Sequence, residues 1–266
     1  MPVWQTLGGL LGGTYVLVQA YAVPLAGVAL FTIAVVGGQT GNAIVVDRMG
    51  LGPAGRAAVT TVRVVAAVLA TIGVGIAVWG RVLAQVTPGA SGASGTPGTS
   101  GAAGITTAVG AAVVVPVLLA LLVGGLHSVQ SAINGRVNVA TGTPWATTWL
   151  NFTNGVILLS TVVGIRWASG GLGPVRLDPP PGWVWFGGLA GVVFVGVAAV
   201  VVRHLGVLHT MLVLLCGQVL GALTLDLLNP ATRHTVTLVV LAGLGLTAVA
   251  AVLPALRRRA VAGLGA

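Results

Sequence analysis

Hydrophobic residues run along this chain in long stretches that short polar or glycine-rich breaks separate. A stretch of roughly 20 mostly apolar residues is long enough to cross a bilayer as one α-helix. Eight stretches meet this criterion, so the sequence predicts an all-α integral membrane protein with about eight transmembrane helices. They cover about residues 5–22, 27–47, 58–80, 108–134, 146–166, 183–202, 206–227 and 235–256.

One segment of this pattern occurs twice. Residues 4–47 recur without a gap 179 positions later as residues 183–226. Each helix of the first copy is five predicted helices ahead of its counterpart, and an odd offset means that the copies cross the bilayer in opposite directions. We therefore predict two inverted-topology repeat units, which many secondary transporters arrange around one central site. The matching residues are Trp4 and Trp183, Gly8-Gly9-Leu10 and Gly187-Gly188-Leu189, Gly12 and Gly191, Gly27-Val28 and Gly206-Val207, Gly38-Gln39 and Gly217-Gln218, and Asp47 and Asp226.

A segment rich in Gly, Ser, Pro and Thr, residues 87–101, lies between the third and fourth predicted helices. Such a segment buries too little apolar surface to order itself, so we predict a flexible tether between the two units. The predicted organisation is a first repeat unit of three helices (1–82), a linker (83–106), a second repeat unit of five helices (107–259) and a C-terminal tail (260–266).

The two predicted units differ in length, because the fourth and fifth helices have no counterpart ahead of Trp4. Two explanations are open at this point. Either the reading frame begins upstream of Met1, or the protein borrows the missing helices from a partner. The expected partners are therefore the lipid bilayer and a second copy or a helix-supplying chain.

The composition agrees with burial in lipid. The 266 residues are 56% hydrophobic and 6% charged, with a net charge of +9, whereas soluble domains average about 25% charged residues. The basic residues are arginines, mostly scattered singly, and they form no clustered patch of the kind that binds nucleic acid. We therefore expect no nucleic-acid partner.

Catalytic and cofactor motifs are absent from the sequence. The chain contains no lysine, so no Walker motif is possible, and its one cysteine, Cys216, excludes an internal disulfide. There is also no clustered Cys/His set for a metal and no Ser-His-Asp arrangement that spacing supports. We predict that the protein is not an enzyme and uses neither a cofactor nor a metal.

Arginines are distributed unevenly between the two predicted sides of the membrane. Eight lie on the side that both termini share, and four lie on the other side. Because arginine-rich loops remain in the cytoplasm, we predict a multi-pass protein of the cell membrane with both termini in the cytoplasm. The eight are Arg48, Arg56, Arg63, Arg136, Arg203, Arg257, Arg258 and Arg259, and the four are Arg81, Arg166, Arg176 and Arg233.

Amide side chains inside the predicted spans are the first candidates for a substrate site, because intramembrane polar groups usually face a cavity or a partner helix. Gln39 and Gln218 follow glycines at equivalent repeat positions, and we predict that they line a central site. The alternative is that this pair only holds the two units together.

A second set of amides belongs to the fourth and fifth predicted helices. Gln130, Asn134 and Asn138 are spaced by four residues, which stacks them on one helical face. Asn151 and Asn154 follow closely enough to face them across a hairpin. We predict that Gln130, Asn134, Asn151 and Asn154 contact a polar substrate, and the alternative is that these amides join the helices by hydrogen bonds.

Four ionisable residues are candidates for gating or proton coupling. Asp47 and Asp226 lie eight residues beyond the paired glutamines, and inverted topology places them near opposite membrane surfaces. Each is either part of a gate or a solvated aspartate that ends its helix. His127 and His209 lie inside spans, where a histidine either relays protons or packs as a hydrogen-bonded neutral ring.

These motifs resemble the YdcZ-like branch of the drug/metabolite transporter superfamily, whose members are five-helix units that occur singly or as fused pairs. The resemblance covers most of the chain. It rests on residues 130–136 (QSAINGR), Asn151 to Gly155, Gly187-Gly188 to Gly191 and Gly217-Gln218 to Asp226, together with Gly8 to Gly12 and Gly38-Gln39 to Asp47 in the other unit.

The resemblance implies a secondary transporter of the drug/metabolite type that moves a small polar or amphipathic molecule by alternating access. Fused relatives have ten helices, whereas eight are predicted here, so the alternative is a non-transporting scaffold or accessory subunit that completes a partner's helix bundle. Small multidrug exporters of the same superfamily use a membrane glutamate for proton coupling. This chain contains no glutamate, so that role cannot be assigned.

Overall fold

The computed structural model describes residues 2–86, 111–171 and 185–228, the single positions 182, 230 and 233, and residues 236–263. Within these residues all regular structure is helical, and seven helical segments are long and apolar enough to cross a membrane. The protein is therefore an all-helical integral membrane protein, as predicted. Its elements are a 3-10 turn Val3–Leu7 and the helices α1 Gly8–Met49, α2 Thr61–Val86, α3 Ala111–Thr141, α4 Pro144–Ala168, α5 Trp185–Leu205, α6 Val207–Leu228 and α7 Leu238–Gly263.

Most of the predicted linker, together with Asp178 and Trp183, lies outside the described residues. The described part differs from the prediction at two places: α2 continues to Val86, inside the predicted linker, and α7 continues to Gly263, inside the predicted tail. The segment labelled α1 consists of two helices that meet at a break at Gly27, in agreement with the first two predicted spans.

Two glycines break the helices at equivalent repeat positions. Gly27 interrupts α1 with φ +79° and ψ 156°, and Gly206 separates α5 from α6 with φ +78°. Side-chain-bearing residues rarely adopt this left-handed region, so glycine is the residue suited to both positions. The predicted helix starts at 27 and 206 coincide with these breaks, and the repeated sequence thus produces a repeated backbone feature.

The last helices of the two units, α2 and α7, pack against each other through small residues. A Cβ atom added to Gly73 would lie 2.8 Å from the Gly243 oxygen and 2.8 Å from the Thr247 nitrogen, and one added to Gly80 would lie 3.0 Å from the Val240 nitrogen. Small residues allow membrane helices to approach this closely. Later residues of α2 meet earlier residues of α7, so the two helices are antiparallel, as inverted units require.

The repeat extends into these helices with a changed spacing. The pair Gly73 and Gly75 matches Gly243 and Gly245 at a shift of 170 positions instead of 179. The segment from Asp226 to Gly243 is therefore nine residues shorter than the segment from Asp47 to Gly73. At this shift Arg63 aligns with Arg233.

Buried side chains concentrate where α1, α2, α3, α6 and the end of α5 meet. This core includes Val46, Ala70 and Leu208, which are almost fully enclosed. It lies at the level of the Gly206 break and therefore surrounds the C-terminal end of α1. Any charged group at that end is held in an apolar environment.

Candidate functional site

Asp47 at the end of α1 forms the most polar contact inside this core. Its side chain is 3% exposed and forms an ion pair with Arg63 on α2. The same carboxylate accepts hydrogen bonds from the backbone nitrogens of Val207 at 2.8 Å and Leu208 at 3.1 Å. We call these contacts, Asp47 with Arg63, Val207 and Leu208, the Asp47 latch.

The Asp47 latch satisfies backbone groups that the Gly206 break exposes. The first amides of a helix have no partner within the helix, and its N-terminus carries a partial positive charge. Asp47 supplies the missing acceptor and negative charge to α6, as an N-cap residue does. The latch thus joins the end of α1, in the first repeat unit, to the Gly206 break in the second unit.

The same surface is held by a second cross-unit contact. Arg136 at the end of α3 donates a hydrogen bond of 2.6 Å to the backbone oxygen of Gly50, just after α1. The N–H of Ala57 in the following connection returns to the backbone oxygen of Asp47 at 2.9 Å. The connection between α1 and α2 is therefore fixed against α3 as well as α6.

Asp226, the repeat counterpart of Asp47, lies at the opposite end of α6. It follows Leu208 by 18 residues, which corresponds to about 27 Å at 1.5 Å per residue. That distance is close to the hydrocarbon thickness of a bilayer, about 30 Å. Asp226 is partly buried, and the aligned Arg233 is exposed.

The sequence left open whether Asp47 was a gate residue or a solvated helix end, and the structure places it in a buried ion pair. Arg63 is a residue of the site that the sequence analysis counted only as a topology signal. The signal that could have identified Arg63 was its alignment with Arg233. This alignment appears when the two repeats are compared at a shift of 170 positions after Asp47.

The second polar centre is a cluster of amides between α3 and α4. Gln130 donates a 2.7 Å hydrogen bond to the Asn151 side-chain oxygen, and Asn134 lies 3.4 Å from the same atom. Gly12 of α1 faces this cluster, since an added Cβ would lie 2.7 Å from the Gln130 nitrogen. Three of the predicted substrate residues therefore meet at one point, against the glycine-rich start of α1.

Two other amides make separate contacts. Asn138 donates a 3.1 Å hydrogen bond to the backbone oxygen of Ala199 on α5. Asn154 donates to the backbone oxygens of Thr6 at 2.7 Å and Leu150 at 2.8 Å. In the described structure Asn138 and Asn154 thus join helices by hydrogen bonds to backbone groups.

A small cavity adjoins the amide cluster and is lined by side chains of α3, α5 and α6. Its volume is about 30 Å³, room for a water molecule or two and far less than the hundreds of Å³ of a small-molecule site. In this conformation the cavity is too small for a metabolite. The lining residues are His127, Gln130, Ser131, Asn134, Phe194, Val195, Ala198, Ala199, Met211 and Leu214.

The remaining predicted residues occupy different surroundings. Gln39 is 9% exposed, whereas its counterpart Gln218 is exposed, and neither is among the residues that line the cavity. His127 lines the cavity, and its ring centroid lies 6.0 Å from that of Tyr15. His209 is buried near the start of α6, close in sequence to the Gly206 break. The structure therefore does not place Gln39 and Gln218 symmetrically around one site.

We expect Asn151→Leu to reduce the free energy of unfolding by about 1–2 kcal/mol, because it removes the acceptor of the buried Gln130 amide. Thermal unfolding in detergent measures this change. Thr161→Val is the matched control, because Thr161 is an exposed residue of α4 that bonds only to the Ile157 oxygen of its own helix. Equal stability of the two variants would contradict the contribution assigned to the cluster.

Comparison with protein families matches residues 1–76 and 115–253 to the family described as "Putative inner membrane exporter, YdcZ". The match covers both repeat units and omits residues 77–114. The chain belongs to this YdcZ family. No curated protein and no solved structure matches it.

Membership of the YdcZ family, which is of the drug/metabolite transporter type, agrees with the resemblance seen in the sequence. It supports a membrane transporter of the inner membrane, in agreement with the apolar helices. The Asp47 latch and the amide cluster are accordingly features of a membrane transporter. The YdcZ description names no substrate.

Proposed function

We propose that the protein is a secondary transporter that exports a small polar or amphipathic molecule by alternating access between its two inverted units. The observation that carries the proposal is the Asp47 latch, which joins an aspartate of one unit to the helix break of the other. A contact of this kind closes one side of a central path. Both termini lie in the cytoplasm on this proposal, so the Asp47 latch faces the cytoplasm.

The repeat supplies a matching set of residues for the other side. Asp226 corresponds to Asp47, Arg233 aligns with Arg63, and Gly27-Val28 corresponds to Gly206-Val207. In the proposed alternate state Asp226 binds the first amides after Gly27, while the Asp47 latch opens. The described structure is asymmetric in a way that fits one of these states, since Val207 is 0% exposed and Val28 is 66% exposed.

The amide cluster and its cavity form the proposed substrate site. Gln130, Asn134 and Asn151 offer both donors and acceptors beside the cavity, which suits a polar or zwitterionic molecule. The cavity is bounded by helices of the second unit, and α6 is also the helix that the Asp47 latch holds. Release of the latch frees α6 to move away from α3 and enlarge the cavity.

Flux measurements in proteoliposomes test the transport function. A panel of cationic drugs and zwitterionic metabolites is loaded, and efflux is followed for the wild type, Gln130→Leu and Thr161→Val. We expect efflux of at least one panel member, its loss in Gln130→Leu and its retention in Thr161→Val. Folded wild-type protein that moves no panel member, or Gln130→Leu at wild-type flux, would contradict the proposal.

The exchange between the two latches makes a separate prediction that needs no known substrate. In a Cys216→Ser background, single cysteines at Val28 and Val207 are labelled with a membrane-impermeant maleimide. We expect Arg63→Gln to raise the labelling rate of Val207→Cys by at least tenfold and to lower that of Val28→Cys, because each loss of about 1.4 kcal/mol from the latched state shifts a two-state equilibrium tenfold. Arg56→Gln, in the exposed connection, is the control. An increase at both cysteines would indicate unfolding and count against an exchange.

A further inference from the structure

Arginines from separate elements meet at Gly50, at the end of the bundle that holds the Asp47 latch. Arg136 of α3 donates its 2.6 Å hydrogen bond to the Gly50 oxygen. On the other part of the same residue, a Cβ atom added to Gly50 would lie 2.6 Å from the Cγ atom of Arg56, which belongs to the connection between α1 and α2. Arg56 and Arg136 therefore lie against one glycine.

Helix α5 brings a third arginine to this place. A Cβ atom added to Gly135 of α3 would collide with the Val202 side chain of α5 and lie 2.9 Å from the Cγ atom of Pro53 in the connection. Arg136 directly follows Gly135, and Arg203 directly follows Val202. Three elements thus meet here, and each contributes one long, flexible cationic side chain. We call the set Arg56, Arg136 and Arg203 the arginine cluster.

The arginine cluster has no carboxylate to neutralise it among the described residues. The acids in that part of the chain are Asp47 and Asp226. Asp47 is buried and paired with Arg63, and Asp226 lies at the opposite end of α6. Each member of the cluster is exposed or partly exposed. The like charges repel one another, so an anion bound between them would be stabilised.

Tryptophans at this end of the bundle indicate the level of the lipid headgroups. Helix α4 begins at Pro144, just after α3 ends at Thr141, and its first turns carry Trp145 and Trp149, which are both exposed. Exposed tryptophan is enriched at the boundary between the hydrocarbon region and the headgroups. Phosphate groups of the surrounding lipids are therefore within reach of the arginine cluster.

We propose that the arginine cluster binds the headgroup phosphate of one anionic phospholipid, whose acyl chains lie in the surrounding bilayer. A guanidinium group binds phosphate oxygens through two parallel hydrogen bonds, and basic pockets between transmembrane helices bind anionic headgroups. The arginines come from the α1–α2 connection and from α3 and α5, so the bound lipid connects the two repeat units. The proposal does not depend on the transport function.

Lipid titration of the purified full-length chain in a neutral detergent tests this site. Native mass spectrometry counts the bound molecules of anionic phosphatidylglycerol and of zwitterionic phosphatidylcholine. We expect phosphatidylglycerol to bind at one saturable site, with an affinity about tenfold or more above that of phosphatidylcholine. Equal affinity for the two lipids, or binding of phosphatidylglycerol without saturation, would overturn the proposal.

Two variants with a charge-matched control test whether the lipid binds at the cluster. Arg56→Gln and Arg203→Gln should each weaken phosphatidylglycerol binding by about fivefold, the contribution of one arginine near an anionic headgroup. Arg166→Gln should leave it unchanged, because Arg166 is an exposed arginine near the other end of α4 that donates to the Gly171 oxygen. Equal weakening in all three variants would indicate a general effect of net charge and refute the site, as would unchanged binding in both cluster variants.

Inorganic phosphate distinguishes a lipid site from a site for a soluble anion. We expect phosphate at the same concentration as the lipid not to displace phosphatidylglycerol, because it lacks the acyl chains that hold a headgroup at the surface. Displacement at equal concentration would show that the arginine cluster binds a free anion and would overturn the assignment to a phospholipid.

Discussion

Asp47→Asn is expected to reduce the free energy of unfolding by about 3–5 kcal/mol, the usual cost of breaking a buried ion pair at one partner. The substitution leaves the Arg63 guanidinium charged in an apolar core that encloses it almost completely. It also replaces a charged acceptor of the Val207 and Leu208 amides with a neutral one. Thermal or denaturant unfolding of the purified protein in detergent measures the loss.

A double variant separates the ion pair from the other contacts of Asp47. Asp47→Asn combined with Arg63→Met removes both charges, so it should recover a substantial part of the stability lost in Asp47→Asn alone. Asp226→Asn is the repeat-matched control and should cost less, because Asp226 is only partly buried. A double variant no more stable than Asp47→Asn would show that the buried arginine charge is not the main cost.

Gly38→Leu is expected to prevent stable folding, because the site has no room for any side chain. Even a Cβ atom would collide with the Leu121 backbone oxygen, and a backbone cannot move aside as a flexible side chain can. Overpacking of ordinary cores costs about 1–3 kcal/mol, and a backbone clash lies at or above the upper end of this range. The yield of monodisperse protein after extraction from the membrane measures the effect.

Gly41→Leu provides the control on the same helix. Gly41 is exposed, and no described atom lies within 4 Å of an added Cβ. The two variants make the same chemical change three residues apart, so helix propensity and hydrophobicity are matched. A yield of monodisperse Gly38→Leu equal to that of Gly41→Leu would mean that α1 and α3 are less closely packed than the structure shows.

The sequence contained enough information for the helices because their determinants are local. Apolar length identifies a span, and a glycine between two spans marks the break, as at Gly27 and Gly206. The break at Gly27 confirms the boundary between the first two predicted spans. What the sequence did not determine is how sharply the chain reverses there: the rings of Tyr15 and Phe31, 16 residues apart, lie 6.0 Å from each other.

The surroundings of Asp47 were harder to predict because they depend on contacts distant in sequence. Arg63 is 16 residues away and Val207 is 160 residues away, so the sequence near Asp47 is the same for a solvated and a buried carboxylate. By contrast, Gln130 and Asn151 lie in adjacent helices joined by a short turn, and a hairpin brings such residues together. Gln39 and Gln218 share a repeat position, yet Gln39 is 9% exposed and Gln218 is exposed, a difference that their local sequence does not indicate.

The antiparallel contact between α2 and α7 has a consequence for how the molecule moves. Gly73, Gly243 and Thr247 approach each other closely in this contact, and each unit contributes its own last helix. When the two units exchange roles during transport, the contact between their equivalent helices α2 and α7 must stay almost stationary. The α2–α7 contact is therefore suited to act as the fixed axis of this motion. A covalent crosslink between α2 and α7 should leave the movement of the remaining helices intact.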